Sequence, residues 1–119
     1  MELRNILSKH KLWVETAGKE GERADLRKAI LQEADLHDAN LQGADLEGAH
    51  LSVADLMGAN LQLANLKRAD LWMADLKDTD LRGAELQGAN LSGVTNLTQK
   101  QIDSAITDQA TALPSGLRR

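Results

Sequence analysis

The chain has no cysteine, phenylalanine or tyrosine, and only one proline and two tryptophans in 119 residues. Without cysteine there is no disulfide framework and no thiolate to ligate a metal or attack a substrate. No apolar run exceeds a few residues, so nothing reads as a membrane span or a secretory leader, and cytoplasmic residence is the expectation. Catalytic constellations are missing as well. Ser52, Ser92, Ser104 and Ser115 have no histidine at a motif spacing, and no glycine pair opens a strand-to-helix phosphate cradle. The expectation is a protein that is not an enzyme and carries no cofactor.

What is present is a repeat. From Ala24 to Gly93 leucine recurs every fifth residue fourteen times, Leu26, Leu31, Leu36 and onward to Leu91, with alanine two places earlier in all but one case. Five residues advance an α-helix by about 140°, which would scatter the leucines around its circumference. On a straight strand an odd period would send successive leucines to opposite faces. The remaining solution is a unit that bends once per pentad and brings every leucine to a common axis, which is a solenoid. Leucine-rich repeats need a longer period with unequal leucine spacings and a fixed Asn or Cys, and these are absent. A narrow, identically repeated interior that admits only Leu and Ala also accounts for the scarcity of aromatics.

The runs Ala-Asp-Leu at 24–26, 34–36, 44–46, 54–56 and 74–76, and Ala-Asn-Leu at 39–41, 59–61, 64–66 and 89–91, resemble the motif of the pentapeptide repeat family. The resemblance covers 70 residues and implies an all-β solenoid, a right-handed quadrilateral β-helix with four pentads per coil. Thr79 in place of Ala, and Ile30, His50 and Glu85 in place of Asp or Asn, are local departures, and the motif weakens at Val94 and Asn96. The column Arg27, Glu47, Lys67 would form an alternating charge ladder at this coil length, but Asp and Asn identities do not single out a spacing of twenty, so the coil count rests on the resemblance. It gives a rod of ~17 Å at ~4.8 Å per rung.

The flanks differ in kind. Leu3, Ile6, Leu7, His10, Trp13 and Val14 fall at helical spacings with Gly18 as a stop, which predicts an N-terminal capping helix within residues 1–18. Residues 19–97 form the repeat region, beginning with a degenerate pentad at 19–23 that has Gly21 in place of leucine. Residues 98–119 carry a second short helix, opened by a capping box at Thr98 and Gln101, and a tail from Ala110 that is expected to lie along the body.

Asp35, Asp55 and Asp75 would stack in one column near Asp38 and Asp78, and such a column could hold a hard cation. The stronger reading is that these side chains hydrogen-bond their own turns. His10, His37 and His50 show no metal-ligand spacing, so no metal site is assigned. Among the outward positions Val53, Met57, Leu63, Trp72 and Met73 interrupt a polar surface, with Val53 and Met73 in one column, and they form a candidate protein-interaction patch. The competing expectation is that the C-terminal tail folds over this face.

The functional expectation is a monomeric, non-catalytic structural or interaction module whose partner is another protein, with no nucleic acid or membrane bound. The resemblance also implies an alternative, since some relatives mimic DNA and bind type II topoisomerases, protecting them from quinolones. Residues 24–93 hold twelve acidic and six basic side chains, a net of −6, whereas ~17 Å of duplex carries ~10 negative charges. That deficit disfavours mimicry.

Overall fold

A computed structural model describes residues 2–119. The pentad around Leu66 shows how the chain closes on itself. Ala64 and Leu66 point inward and are fully buried, while the Lys67–Arg68 pair turns the corner. The turn is closed by Ala69 N–H donating to Leu66 C=O at 3.1 Å, with Arg68 at φ 59°, the pattern of a type II turn. Asn65 Oδ1 accepts the Lys67 N–H at 3.0 Å and so ties its side chain to its own turn. The remaining backbone groups leave the pentad: Leu66 N–H donates to Glu85 C=O and Arg68 N–H to Gln87 C=O, both 2.9 Å, and Asn65 N–H donates to Ala44 C=O at 2.9 Å.

These bonds fix the coil length. Asp25 pairs in parallel with Asp45, Ile30 with His50, Asp35 with Asp55 and Asn40 with Asn60, and the offset of twenty persists to Asp75 and Thr95. Four pentads therefore make one coil, and each side contributes a single bridging residue in place of an extended strand. We number the sides by their leucines: the first holds Leu26, Leu46, Leu66 and Leu86, the second Leu31 to Leu91, the third Leu36 to Leu76, and the fourth Leu41 to Leu81. The leucines and alanines stack into one continuous core inside a body of 41 × 24 × 22 Å. Thr79 is buried in an alanine position, and its hydroxyl is satisfied by donating to Leu56 C=O at 2.7 Å.

Helix α1, Leu3–Glu15, closes the first coil. Leu3, Ile6 and Leu7 pack on the core, and His10 is completely buried. Its Nδ1 accepts the Ala24 N–H at 2.9 Å, which leaves Nε2–H to donate to Gln42 C=O at 2.8 Å. The ring stacks on Trp13 at 5.4 Å. Gly21 lies where a leucine would begin the repeat because α1 occupies that space; a Cβ there would run into the Lys9 carbonyl.

The C-terminal end departs from the expectation of a tail along the body. Helix α2, Gln99–Ser104, starts with the full Thr98–Gln101 capping box. It takes the place of one side of the last coil: Gln101 Nε2 donates to Leu76 and Thr79 C=O at 2.8 and 2.9 Å, and Ile102 is buried. The chain then rejoins the ladder, Ile106 pairing with Glu85 and Ala112 with Asn90. The coil thus runs past residue 97, and the tail sits on the open end, not on the Trp72 face.

Leu66→Ala is expected to cost ~2–5 kcal/mol in denaturant titration, against a near-silent Gln62→Ala; equal midpoints would contradict an inward leucine stack. A second expectation concerns pH. Burial, aided by the nearby Arg23 charge, holds the His10 imidazole below its ordinary value, against the Gln42 carbonyl, which favours the charged form. The folded state thus keeps the ring neutral while the unfolded chain takes up a proton near pH ~6.5, so this contribution is whole above that pH and is lost as the pH falls below it. Melting temperatures should drop between about pH 7 and 5.5 in the native chain and change less in His10→Asn.

Candidate interaction surface

The fifth residue of every pentad, at the corner after leucine, has positive φ. Its side chain leans along the rod onto the same corner of the next coil. A Cβ on Gly48 would meet Lys28 Cγ at 3.4 Å, one on Gly88 would meet Arg68 Cγ at 3.2 Å, and one on Gly58 would collide with Asp38 Oδ1. A large side chain therefore favours a glycine after it. Three corners obey this: Lys28, Gly48, Arg68, Gly88 on the first side; Asp38, Gly58, Asp78 on the third; Gly43, Leu63, Gly83 on the fourth. The second corner breaks it with Glu33, Val53 and Met73 in succession before Gly93.

The break carries an energetic cost. Left-handed backbone in a residue other than glycine costs about 1–2 kcal/mol, and a β-branched side chain there is a true outlier. Val53 has φ 60° and is 48% exposed, so it gains little burial in return. Beside it on this corner stand Trp72 and Met73, each 47% exposed. Trp72 C=O accepts the Val53 N–H at 2.8 Å, which places the two turns in direct register.

The five sequence-predicted patch residues do not form one surface. Val53, Trp72 and Met73 share the second corner, and Met57 lies at the next corner along the third side, exposed. Leu63 is on the diagonally opposite corner, where it lies over Gly83 and lines a shallow groove with Trp13 and Val14. It stands apart from the other four because its pentad is on the fourth side, and it remains 64% exposed. Ile30, 70% exposed on the second side, escapes the sequence pattern because it stands where the motif has Asp or Asn and not at a corner position. The tail does not cover these residues.

The carboxylates fulfil the local role expected of them. Asp35, Asp55 and Asp75 each accept, through Oδ1, the N–H two residues on. The structure also brings Asp35, His37 and Asp55 together, with donor atoms within 4.8 Å of one another, a grouping that spacing alone does not reveal. His37 Nδ1 is already 2.5 Å from Asp35 Oδ1, and this pairing raises the imidazole and lowers the carboxyl from their ordinary values. On the first side Arg27 donates two hydrogen bonds to Asp25 and holds it at about 2. His50 is exposed on the second side. Among the described residues no helix is long and apolar enough to cross a membrane.

The model of the pentapeptide repeats matches residues 22–58, 34–72 and 59–99, and the chain belongs to the pentapeptide repeat family, with its right-handed quadrilateral β-helix. It is 38% identical to alr5209, a pentapeptide repeat protein from Nostoc Pcc 7120, over 93% of this chain and 86% of that one, with a TM-score of 0.38. To Rfr23 from the cyanobacterium Cyanothece 51142 it is 30% identical over 81% and 68%, TM-score 0.37. HetL from Nostoc sp. Strain PCC 7120, a protein involved in heterocyst differentiation regulation, is 38% identical over 77% of this chain and 50% of its own length, TM-score 0.40. No curated protein matches.

The corner geometry sets the direction of two substitutions. Val53→Gly removes the strain but adds freedom to the unfolded chain worth ~0.4–1 kcal/mol, so it should leave stability unchanged or raise it by up to ~1 kcal/mol. Gly58→Val, at φ 71° and against Asp38, should destabilise by more than ~1 kcal/mol. Chemical denaturation of the two variants checks the pair, and a Val53→Gly protein clearly weaker than the parent would rule out strain at this corner.

Proposed function

We propose that this protein is a non-catalytic interaction module, monomeric on its own, that engages a partner protein through the corner formed by Val53, Trp72 and Met73. The observation that carries the reading is the break in the corner pattern. The solenoid accepts glycine there, and glycine is used at the other corners beside each large side chain, yet the second corner keeps an exposed valine in left-handed backbone. Left-handed residues other than glycine occur at every corner, but Val53 is the β-branched one among them, an outlier of the kind that motivates a functional reading, and Trp and Met are favoured at the centres of interfaces. Duplex mimicry is the weaker reading, because Arg27, Lys67, Arg68 and Arg82 neutralise carboxylates along the first and fourth sides.

Trp72→Ala should change stability by no more than ~0.5 kcal/mol and weaken the partner by more than ~1 kcal/mol. The measurement pairs melting curves with retention of proteins from the native source on immobilised native chain, Trp72→Ala and Val53→Gly. A protein held by the native chain and lost by both variants supports the reading. Destabilisation by Trp72→Ala without selective loss of any bound protein would refute it.

A further inference from the structure

Apart from Asp35, which pairs with His37, the acidic side chains of residues 24–93 divide into two sets. Asp25, Asp45, Glu47, Asp80 and Glu85, all on the first and fourth sides, have Arg or Lys partners. Glu33, Asp38, Asp55, Asp70, Asp75 and Asp78 have no Arg or Lys ion-pair partner among the described residues, although Asp55 lies beside His37, and all six are on the second and third sides. Those are the two sides that meet at the Val53–Trp72–Met73 corner. Basic groups on this region are limited to Lys77 and Lys28 at its margins, to His37, already engaged with Asp35, and to the exposed His50 on the second side. The exposed apolar strip thus has Glu33 at its end, Asp70 on one side and Asp55 and Asp75 on the other, none of them paired with Arg or Lys, with Asp38 and Asp78 one corner further on.

We infer that the occupant of this corner is a basic segment of a partner protein, bearing Lys or Arg on either side of an apolar anchor that packs on Trp72, Met73 and Val53. The inference rests on the interaction reading above and adds the chemistry of the partner. Apolar contact supplies the seat, and complementary charge supplies orientation and rapid encounter. A nucleic acid or an anionic bilayer would bring the wrong sign. The carboxylates are set in place beforehand, since Asp55 and Asp75 each tie Oδ1 to a turn N–H, at 3.0 Å in both cases, and are therefore oriented before any partner arrives.

The test uses the full chain and two synthetic peptides that share alternating leucines, one with lysine and the other with glutamate between them. Calorimetry gives affinity, and amide NMR gives location, since the chain has only two indole N–H signals, from Trp13 and Trp72. The lysine peptide is expected to bind at least ~10-fold more tightly than the glutamate peptide, to weaken as salt is raised, and to move the Trp72 signal but not that of Trp13. The variant Asp55→Asn/Asp75→Asn/Asp78→Asn keeps the side-chain oxygens that the turns require, so it should fold; it should lose affinity and flatten the salt dependence. Trp72→Ala should lose affinity at every salt concentration without flattening it.

Equal binding of the two peptides, no binding of the lysine peptide, or binding to phosphatidylserine vesicles by the native chain would overturn the basic-segment inference. If Trp72→Ala still loses the partner protein from the native source while the triple Asn variant retains it, the basic-segment inference alone falls and the interaction reading stands. If the lysine peptide binds but Trp72→Ala has no effect, the corner is not the seat and the interaction reading falls with it.

Discussion

The left-handed residue that ends each pentad lets the chain turn at Leu-x-x-Ala with a hydrogen bond across the corner, and without that turn the next leucine would not face the axis. Four such turns bring the backbone back above its start, where single-residue pairing at an offset of twenty locks the coils together. The hydrophobic stack and the backbone ladder are therefore two consequences of one local constraint. Because the fifth side chain leans along the rod, the same constraint dictates where bulk is tolerated on the outside.

A repeating ladder leaves its unpaired groups at the ends, and the chain closes them with the only irregular sequence it has. At the start, His10 serves two backbone groups at once with one neutral imidazole, and Arg23 Nε donates to Gly43 C=O at 2.6 Å. At the other end the Gln101 amide serves Leu76 and Thr79, and the Thr111 hydroxyl donates to Leu86 C=O at 2.8 Å. Among the described residues, fully buried polar side chains are confined to His10, Thr79 and Thr111. His10 takes the Gln42 carbonyl that an earlier coil would otherwise pair, while the Thr79 and Thr111 hydroxyls find acceptors in the Leu56 and Leu86 carbonyls, which also close their own turns, so none of the three is buried without a partner.

The leucine stack, both helices and the Thr98 capping box are legible in the residues, because each is a local rule repeated or placed beside a recognisable stop. Coil length is harder to read. The second-position Asp and Asn bond within their own turns, as Asp55 does with Met57, so their identity carries little information about the residue twenty away. The fifth position does carry it, since Lys28, Gly48, Arg68 and Gly88 alternate as their mutual contacts require. The tail escapes placement because α2 replaces a whole side, and the register shifts from twenty to twenty-one at Ile106 and twenty-two at Ala112. The candidate patch is half legible: hydrophobicity picks out Val53, Trp72 and Met73, but only the coil geometry separates Leu63 from them and adds the unpaired carboxylates.

Those carboxylates set a problem that the fold does not itself solve. Asp55 and Asp75 are stacked in adjacent rungs, ~4.8 Å apart, and like charges across a ladder oppose pairing. On the first side the same kind of column is compensated by Arg27, Lys67 and Arg68, so the sequence has a remedy available and does not apply it beside Trp72. Solvent screening makes the repulsion bearable at the surface, and the buried leucines beneath hold the rungs in place regardless. The uncompensated charge of Asp55 and Asp75 thus borders the corner that holds the strained valine, and both are stability costs. A partner that supplies cations and an apolar anchor would relieve the first and make use of the second, which is why the two observations point to one surface and not to two independent imperfections.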